Sequence, residues 1–233
     1  MNPYIATFLT FAIAVAFLRF MDFLAHQGVI ESKLSRKLIH IGTGPIFVLC
    51  WLMFPDMPAV RYLAALIPLL ITVQFLLVGT GVIKDEAAVQ AMTRTGSPKE
   101  ILRGPLFYGI VFVVLTVLYW KDSPIGITAL MMMCGGDGIA DIVGRRVKSA
   151  KLFWSPEKSV AGSLSVFAGG ALLTALILFI YVRMGIFAAP FTMYMLPIAW
   201  IALGAMLVES LPFKDIDNLT LTVVSALLGH LVF

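Results

Sequence analysis

Eight long apolar segments, joined by short polar connections, run through nearly the whole of this chain. A helix needs about 20 mostly apolar residues to cross the hydrocarbon core of a bilayer. The chain is 60% apolar and only 13% charged, whereas ordinary soluble domains are about 25% charged. We therefore predict an all-α integral membrane protein, residues 1–233 forming a single polytopic domain built as a bundle of about eight transmembrane helices. The predicted helices lie near residues 3–25, 38–54, 59–78, 105–120, 123–144, 162–183, 190–211 and 217–233.

Composition argues against several other classes of protein. The net charge of +4 comes without a basic stripe interleaved with exposed aromatic residues, so no nucleic-acid partner is predicted. Cys50 and Cys134 lie in apolar runs, and no CxxC or Cys/His cluster indicates a disulfide framework or a structural zinc site. The first segment lacks a basic flank and a small-residue cleavage site, so we expect a retained helix rather than a signal peptide.

Lysine and arginine are distributed unevenly between the two sets of connections. Fourteen lie in connections on one side, and only Arg61, Lys121 and Arg183 lie on the other. The positive-inside rule places the fourteen in the cytoplasm. Both termini then face the opposite side, which requires an even number of helices and favours eight over seven. The polar stretch 79–104 is also expected to hold a short surface helix around residues 85–93.

Asp137 and Asp141 are the most unusual polar residues, because they lie within the fifth apolar segment. They are four positions apart and share one helix face. Counted back from Arg145, Asp137 lies about 12 Å inside the helix end. A carboxylate at that depth is costly unless it is paired, metal-bound or in a water-filled cavity. A structural ion pair is one interpretation; nearby glycines such as Gly136 favour a Mg²⁺ site, since Mg²⁺ takes one or two carboxylates together with water and phosphate.

The run from Lys158 to Ser163 precedes the sixth helix and could bind an anion. Backbone N–H groups at a helix start attract phosphate, Gly162 allows close approach, and Lys158 adds a positive charge. The alternative is that Ser159 only caps the helix while Lys158 faces phospholipid headgroups. Spacing alone leaves both interpretations open.

Arg36, Lys37 and His40 open the second predicted helix, and Arg36 and His40 share one face. A basic cluster at this position can simply touch anionic lipid, and His40 can be a polar contact between helices. All of the polar segments considered so far fall at cytoplasmic helix ends in the predicted topology. That placement predicts that they form one site.

An acidic stretch from Glu209 to Asn218 leads into the last helix. Asp215 is expected in a solvated loop, and Asp217 and Asn218 could be simple N-caps. Glu209 lies inside the seventh helix and therefore needs a partner. Basic groups for phosphate, acids for a metal and glycines for close approach together indicate phosphoryl transfer. The sequence has neither GxxxxGK[ST] nor a protein-kinase signature, so any nucleotide site is of another type.

Four motifs, in order along the chain, resemble the phytol kinase, farnesol kinase and dolichol kinase family of membrane polyprenol kinases. They are RKLIHIGTG at 36–44, GDGIADIVGRR at 136–146, WSPEKSVAGS at 154–163 and ESLPFKDIDNLT at 209–220. The short chain is most similar to the phytol kinase branch. The resemblance implies transfer of the γ-phosphate of CTP, with Mg²⁺, to the hydroxyl of an isoprenoid alcohol of the phytol, geranylgeraniol or farnesol type.

The resemblance implies that the site contains Arg36, Lys37, Asp137, Asp141, Gly144, Lys158, Gly162, Asp217 and Asn218. The roles that follow are hypotheses from the chemistry of these residues and their neighbours. We expect Asp137, Asp141 and Asp217 at the metal, and Asp141 as the acceptor of the hydroxyl proton. Lys158, Lys37 and His40 complete the expected catalytic group, while Arg36, Gly136, Gly144, Ser159, Gly162, Ser163 and Asn218 are expected to bind the nucleotide. The isoprenoid tail would lie among membrane lipid and helices, with its hydroxyl at the cytoplasmic face. Nothing in the sequence indicates an oligomeric state.

Other functions remain as alternatives. SPEKSVAG at 155–162 also resembles a run in phosphatidate cytidylyltransferases, but KDIDNLT lacks the histidine and glycine pair of their next motif. CTP-dependent diacylglycerol kinases resemble the same kinase group. A lipid or anion transporter would favour polar residues at the midplane and broken helices, whereas the polar residues here concentrate at one face. A lipid-binding scaffold without chemistry would not need aspartates within the membrane.

Overall fold

The computed structural model describes residues 1–93, 95–213 and 216–233, which are mostly helical. Arg94, Lys214 and Asp215, which enter the charge count and the acidic loop above, lie outside the described residues. The helices are α1 Pro3–His26, α2 Ser32–Cys50, α3 Val60–Gly79, α4 Glu86–Met92, α5 Gly104–Tyr119, α6 Pro124–Met131, α7 Gly138–Arg146, α8 Val160–Arg183, α9 Thr192–Glu209 and α10 Asp217–Val232. Short 3₁₀ turns cover Trp51–Met53 and Pro98–Leu102.

Six stretches of the described chain are long and apolar enough to cross a membrane. They are Pro3–His26, Val60–Gly79, Pro98–Tyr119, Pro124–Arg146, Val160–Arg183 and Thr192–Glu209. The predicted class, an all-α multi-pass membrane protein, is therefore confirmed. The count of eight stays a prediction, because α2 carries three basic residues in its first turns and α10 is only 16 residues long.

Helix α2 begins at Ser32, six positions before the predicted start. Its polar first turns stay helical because they pack on the end of α1, where the Ser35 hydroxyl donates to the Met21 carbonyl at 3.1 Å. Arg36, Lys37 and His40 consequently project from within a helix rather than from its first turn. The predicted surface helix is present as α4, whose first turn is capped by the Asp85 carboxylate at 2.9 Å from Ala88 N.

A β-hairpin follows α7, where the sequence predicted only a polar connection. Strand β1 (Lys151–Leu152) pairs antiparallel with strand β2 (Ser155–Ser159), so that Lys151 lies opposite Ser159. Five residues of mixed polarity are too few for alternation to distinguish a strand from a loop. Trp154, at the turn, donates from Nε1 to the carbonyl of Ser210 at 3.0 Å, which ties the hairpin to the end of α9.

A π-helical segment, Met132–Asp137, joins α6 to α7 where the sequence predicted one regular helix. Such segments occur mostly as single turns within α-helices and often near functional sites. The segment packs directly on α8. A Cβ atom placed on Gly135 would lie 2.8 Å from the carbonyl oxygen of Gly169. A Cβ atom placed on Gly169 would lie 2.7 Å from the carbonyl oxygen of Gly135. The two glycines thus let the backbones touch. Asp137, the last residue of the segment, is positioned by this contact.

Candidate active site

A cavity of about 1010 Å³, here called the main cavity, opens where α2, α5, α7, the hairpin and the described ends of the α9–α10 connection meet. This volume is at the upper end of the range for ligand pockets. The structure brings all four sequence motifs to its wall. Every predicted site residue except Gly136 lines it, namely Arg36, Lys37, His40, Asp137, Asp141, Gly144, Lys158, Ser159, Gly162, Ser163, Asp217 and Asn218.

Lys37 bridges the two aspartates of the fifth apolar segment. Its Nζ lies 3.8 Å from Asp137 Oδ2 and 3.5 Å from Asp141 Oδ2, and all three side chains are mostly buried. Arg145, one turn beyond Asp141, also contacts that carboxylate at 2.9 Å. The ion pair left open from the sequence is therefore present. Its members line the cavity, so their charges are also within reach of a bound ligand.

His40 is held from several directions. Its Nε2 lies 3.2 Å from Asp137 Oδ2 and 3.4 Å from the Met133 carbonyl oxygen. The Tyr108 ring packs on the imidazole with centroids 4.5 Å apart, and the Tyr108 hydroxyl donates to the His40 carbonyl at 2.7 Å. The histidine thus joins α2, α5 and the π-helical segment, as expected for a polar contact between helices.

Lys158 supplies a second charged contact, at the end of β2. Its Nζ lies 3.0 Å from Glu209 Oε1 and 3.8 Å from Asp217 Oδ1, and it also donates to the Glu209 main-chain carbonyl. The Lys158 and Glu209 side chains are only 16% and 12% exposed. The prediction that Glu209 needs a partner is confirmed. Lys158 faces this acidic group in the cavity rather than phospholipid headgroups.

The backbone N–H groups in the first turn of α8 have hydrogen-bond partners within the protein. Val160 N donates to the Ala150 carbonyl at 2.9 Å, and Ala161 N donates to Ser149 Oγ at 3.0 Å. Gly162 N donates to Ser159 Oγ at 3.2 Å, so Ser159 is the N-cap. The Gly162 N–H, one of the backbone groups expected to bind phosphate, therefore has a hydrogen-bond partner within the protein. An anion here would be bound by side chains, above all by Lys158.

The glycines near the site have two different roles. A Cβ on Gly162 would lie 3.5 Å from Gly144 Cα and 3.3 Å from Ser159 Oγ, so this pair lets α7 and α8 approach at the cavity wall. Gly136, expected to bind the nucleotide, does not line the cavity. A Cβ there would meet Val166 at 3.1 Å, which identifies Gly136 as a contact between the π-helical segment and α8.

Asn218 connects the beginning of α10 to that of α5. Its Nδ2 donates to the Gly104 carbonyl at 3.1 Å, while its Oδ1 is buried without a hydrogen-bond partner. Neither Asn218 nor Asp217 is the N-cap of α10: that position is Ile216, which makes no side-chain capping bond. The simple capping alternative for these two residues is therefore wrong.

Several residues of the cavity wall were not anticipated from the sequence. They are Glu100, Arg103, Tyr108, Lys151 and Glu157. Glu100 and Arg103 lie at the end of the long polar stretch, just before an apolar helix. Charged residues at such a position are expected from the orientation of the helix in the membrane, so they did not indicate a site. A tyrosine within an apolar segment is also common, so nothing in the sequence indicated that Tyr108 belongs to a site. Only the packing of α5 against α2 shows that Tyr108 reaches the site.

The described polar wall offers few protein ligands to a metal ion. No group of three or more His, Cys, Asp or Glu side chains in the described part of the chain could hold a metal ion. Asp137 and Asp141 nevertheless offer two carboxylates, the number that Mg²⁺ commonly takes from protein when phosphate and water fill its other positions. Ser163 Oγ and Asn218 Oδ1, in residues of the same wall, are buried without hydrogen-bond partners.

The remaining wall of the main cavity is apolar. It is formed largely by α1, α2, α3 and α5, through residues that include Leu18, Ile39, Pro68, Ile71, Phe75 and Phe112. A ligand that fills the cavity therefore has a charged part and a hydrocarbon part. The fold and this cavity define a multi-pass membrane protein with a site for an amphipathic substrate.

Comparison with known proteins identifies the family. The chain is 42% identical over 230 residues to a protein of Oryza sativa subsp. japonica named probable phytol kinase 1, chloroplastic. The aligned region covers 98% of this chain and 73% of the rice protein. Phytol kinase 1 of Arabidopsis thaliana is 37% identical over 222 residues (94% of this chain, 73% of the relative). Farnesol kinase of Arabidopsis thaliana is 39% identical over 226 residues (96% and 73%). No family model matches the chain, and no solved structure does.

Identity of this extent over nearly the whole chain shows common descent and a common fold. The chain belongs to the phytol kinase and farnesol kinase family, a family of phosphotransferases with an alcohol group as acceptor. The resemblance first seen in four short motifs is thereby confirmed.

Proposed function

We propose that this protein transfers the γ-phosphoryl group of CTP to the hydroxyl of an isoprenoid alcohol of the phytol, geranylgeraniol or farnesol type. The main support is one cavity that combines a wall of lysines and carboxylates with an apolar wall formed by α1, α2, α3 and α5. An isoprenoid alcohol has the matching division, with a single polar end on a hydrocarbon chain. Relatives named phytol kinase and farnesol kinase support the choice of substrate class.

In this proposal the basic side chains bind the triphosphate. Lys158 and Lys37 already lie among carboxylates in the cavity, and Arg36 lies at the same wall. Phosphoryl transfer depends mainly on positioning and charge stabilisation, so fixed cations here lower the barrier without a covalent step. The Arg36 guanidinium is oriented by its donation to the Thr93 carbonyl at 2.7 Å.

The carboxylates would hold Mg²⁺ with the nucleotide and receive the proton. Asp137 and Asp141, with Asp217 nearby on the cavity wall, are the residues that fit this ion. When bound, Mg²⁺ would neutralise phosphate charge. The alcohol oxygen forms a bond to the γ-phosphorus as the bond from that phosphorus to the β,γ-bridging oxygen breaks. CDP leaves, and Asp141 accepts the hydroxyl proton.

His40 and Tyr108 keep the acidic group in place. His40 contacts Asp137 from α2, and Tyr108 supports His40 from α5. Three helical segments thereby fix the orientation of one carboxylate, and phosphoryl transfer depends on such positioning of the groups around it. We expect His40 to act on the reaction through Asp137.

Product analysis with labelled CTP tests the proposal. Purified protein with Mg²⁺, γ-labelled CTP and geranylgeraniol is expected to give labelled lipid monophosphate and CDP. ATP at the same concentration is expected to be a poorer donor. Label recovered in pyrophosphate, dependent on phosphatidate, would identify a cytidylyltransferase instead. Label transferred to diacylglycerol but to no isoprenoid alcohol would identify a diacylglycerol kinase.

A further inference from the structure

A second, smaller void lies deeper between the helices that form the apolar wall of the main cavity. This inner void measures about 50 Å³. Residues of helices α1, α2, α3 and α5 line it. Its wall includes Thr10, Ala14, Phe47, Cys50 and Ile67, none of which lines the main cavity.

The inner void adjoins the main cavity directly. The two share five wall residues, Leu18, Thr43, Pro68, Ile71 and Phe112. Together they mark one path that starts at the charged wall beside His40 and ends near Cys50. Those two residues are ten positions apart on α2, so the path follows about 15 Å of helix, roughly half the thickness of a bilayer's hydrocarbon core.

The inner void offers nothing that would hold water. Its two hydroxyl-bearing residues use their hydroxyls within their own helices: Thr10 donates to the Ala6 carbonyl at 2.8 Å, and Thr43 donates to that of Ile39 at 2.7 Å. A buried water needs two to four polar partners, and a void without them stays dry and accepts hydrocarbon.

We propose that the inner void is the terminal subsite for the isoprenoid tail, and that the residues at its closed end select the length of the alcohol. This inference rests on the proposed function, because it takes the hydroxyl to lie beside Asp137. The tail then follows the shared wall past Thr43 and Phe112 to Ile67 and Cys50. Phe47 and Ile67, which are 5% and 3% exposed, close the path in the protein core.

Ala14 of α1 is the position from which this subsite can be filled. It lines the inner void and is partly buried, whereas Ala16 of the same helix is exposed. Ala14→Phe places a ring toward the space that we assign to the far end of the tail. Ala16→Phe adds the same ring to the outer face of α1 and is the matched control.

Kinetics with two alcohols test the subsite. Ten-carbon geraniol is too short to need the inner void, whereas twenty-carbon geranylgeraniol would reach it. Ala14→Phe, and more mildly Ala14→Leu, is expected to lower kcat/KM for geranylgeraniol relative to geraniol by about tenfold, the scale of discrimination by an apolar pocket. Ala16→Phe is expected to leave the ratio unchanged. An equal loss for both alcohols, or no loss for either, would overturn the proposal.

Photolabelling of the wild-type protein separates this proposal from the proposed function, because it needs no catalysis. Geranylgeraniol with a diazirine on its last isoprene unit is expected to label residues beside the inner void, such as Thr10 and Ile67, and Ala14→Phe should reduce that label. Label confined to outward-facing residues such as Trp200, or no specific label, would overturn the tail path. Failure of the wild type to phosphorylate any alcohol would overturn the proposed function, while specific labelling would still support the subsite.

Discussion

The His40 imidazole lies 3.2 Å from the Asp137 carboxylate, and this contact joins α2 to the end of the π-helical segment. Asp137 is only 20% exposed, so its charge depends on this histidine and on Lys37 at 3.8 Å. The same carboxylate faces the main cavity. One aspartate therefore serves both the stability of the helix bundle and the proposed binding of a metal–nucleotide complex.

Replacing Asp137 with asparagine separates these two contributions. Asp137→Asn keeps the size and some hydrogen bonding but removes the charge. We expect kcat to fall by about 100-fold or more, the scale of losing one group that stabilises charge in the transition state. The measurement is turnover of γ-labelled CTP with geranylgeraniol, alongside elution of the variant on gel filtration.

Asp122→Asn is the control for that substitution, because Asp122 is exposed and lies outside the four motifs. It should keep wild-type turnover. Near-wild-type activity in Asp137→Asn would remove the proposed metal role. An aggregated variant would instead assign Asp137 mainly to folding, as the ion-pair interpretation requires.

Substitutions in the Lys158–Glu209 pair are expected to affect stability and activity differently. Lys158→Met leaves Glu209 buried without its cation, and breaking a buried pair costs about 3–5 kcal/mol of unfolding free energy. Adding Glu209→Gln removes the unpaired charge, so the melting temperature should recover. Activity should not recover, because Lys158 is proposed to bind phosphate.

Thermal unfolding in detergent and the kinase assay, run on the same three preparations, check this prediction. Lys148→Met, at an exposed lysine just before the hairpin, is the matched control and should change neither. If the double variant regains activity together with stability, Lys158 is a structural residue and does not bind the triphosphate.

The sequence predicted the helical membrane fold and most of the polar wall because both depend on unusual composition. Long apolar runs require a lipid environment, and a carboxylate such as Asp137 within one needs a functional or structural explanation. Charge distribution then placed distant segments at the same helix ends. This topology alone predicted that residues as distant in sequence as Arg36 and Asn218 belong to one site.

Local geometry was not predictable in the same way. The π-helical segment depends on Gly135 meeting Gly169 across two helices, a contact that no periodicity encodes. The start of α8 contains the residues expected of an anion site, yet Ser149, Ser159 and the Ala150 carbonyl already satisfy its N–H groups. Composition shows which groups are present, whereas their partners depend on tertiary packing.

Gly169 provides a test of the π-helical segment. The Cβ of Gly169→Ala would lie 2.7 Å from the Gly135 carbonyl oxygen, and backbone must move to relieve that overlap. We expect a loss of about 1–3 kcal/mol in unfolding free energy, as for other overpacked sites, together with reduced kcat, because Asp137 follows the displaced segment. Ala168→Ser adds one atom to the exposed face of the same helix and should change neither quantity. Unchanged stability and activity in Gly169→Ala would show that the segment does not fix Asp137.

The predicted sidedness can be measured by cysteine labelling. Lys148 lies just before the hairpin that lines the main cavity, and Asp122 lies in the connection before α6. Both side chains are exposed. The charge distribution predicts that Lys148→Cys reacts with an impermeant maleimide only after permeabilisation, whereas Asp122→Cys reacts in intact cells. Cys50 and Cys134 are buried and should contribute little background. The opposite pattern would place the proposed nucleotide site outside the cytoplasm.

The Asp56–Lys121 contact, whose two residues lie outside the four motifs, should give stability a defined pH dependence. Lys121 Nζ lies 2.7 Å from Asp56 Oδ1, and the hydrogen bond from Lys121, with its charge, lowers the pKa of the Asp56 carboxyl below its ordinary value. A carboxyl whose pKa is lower in the folded state contributes stability above its unfolded pKa, about 3.9, and loses that contribution as pH falls through the folded value.

Asp56→Asn should therefore lower the melting temperature slightly at pH 7, and the difference from wild type should shrink as the pH falls below about 4. The effect is small because the Asp56 side chain is 89% exposed and solvent screens the pair. Asp122→Asn, next to Lys121 in sequence, is the control and should show no such pH-dependent difference. A difference for Asp56→Asn that grows with acidity would mean that the carboxyl stabilises the fold in its protonated form, contrary to the contact with Lys121.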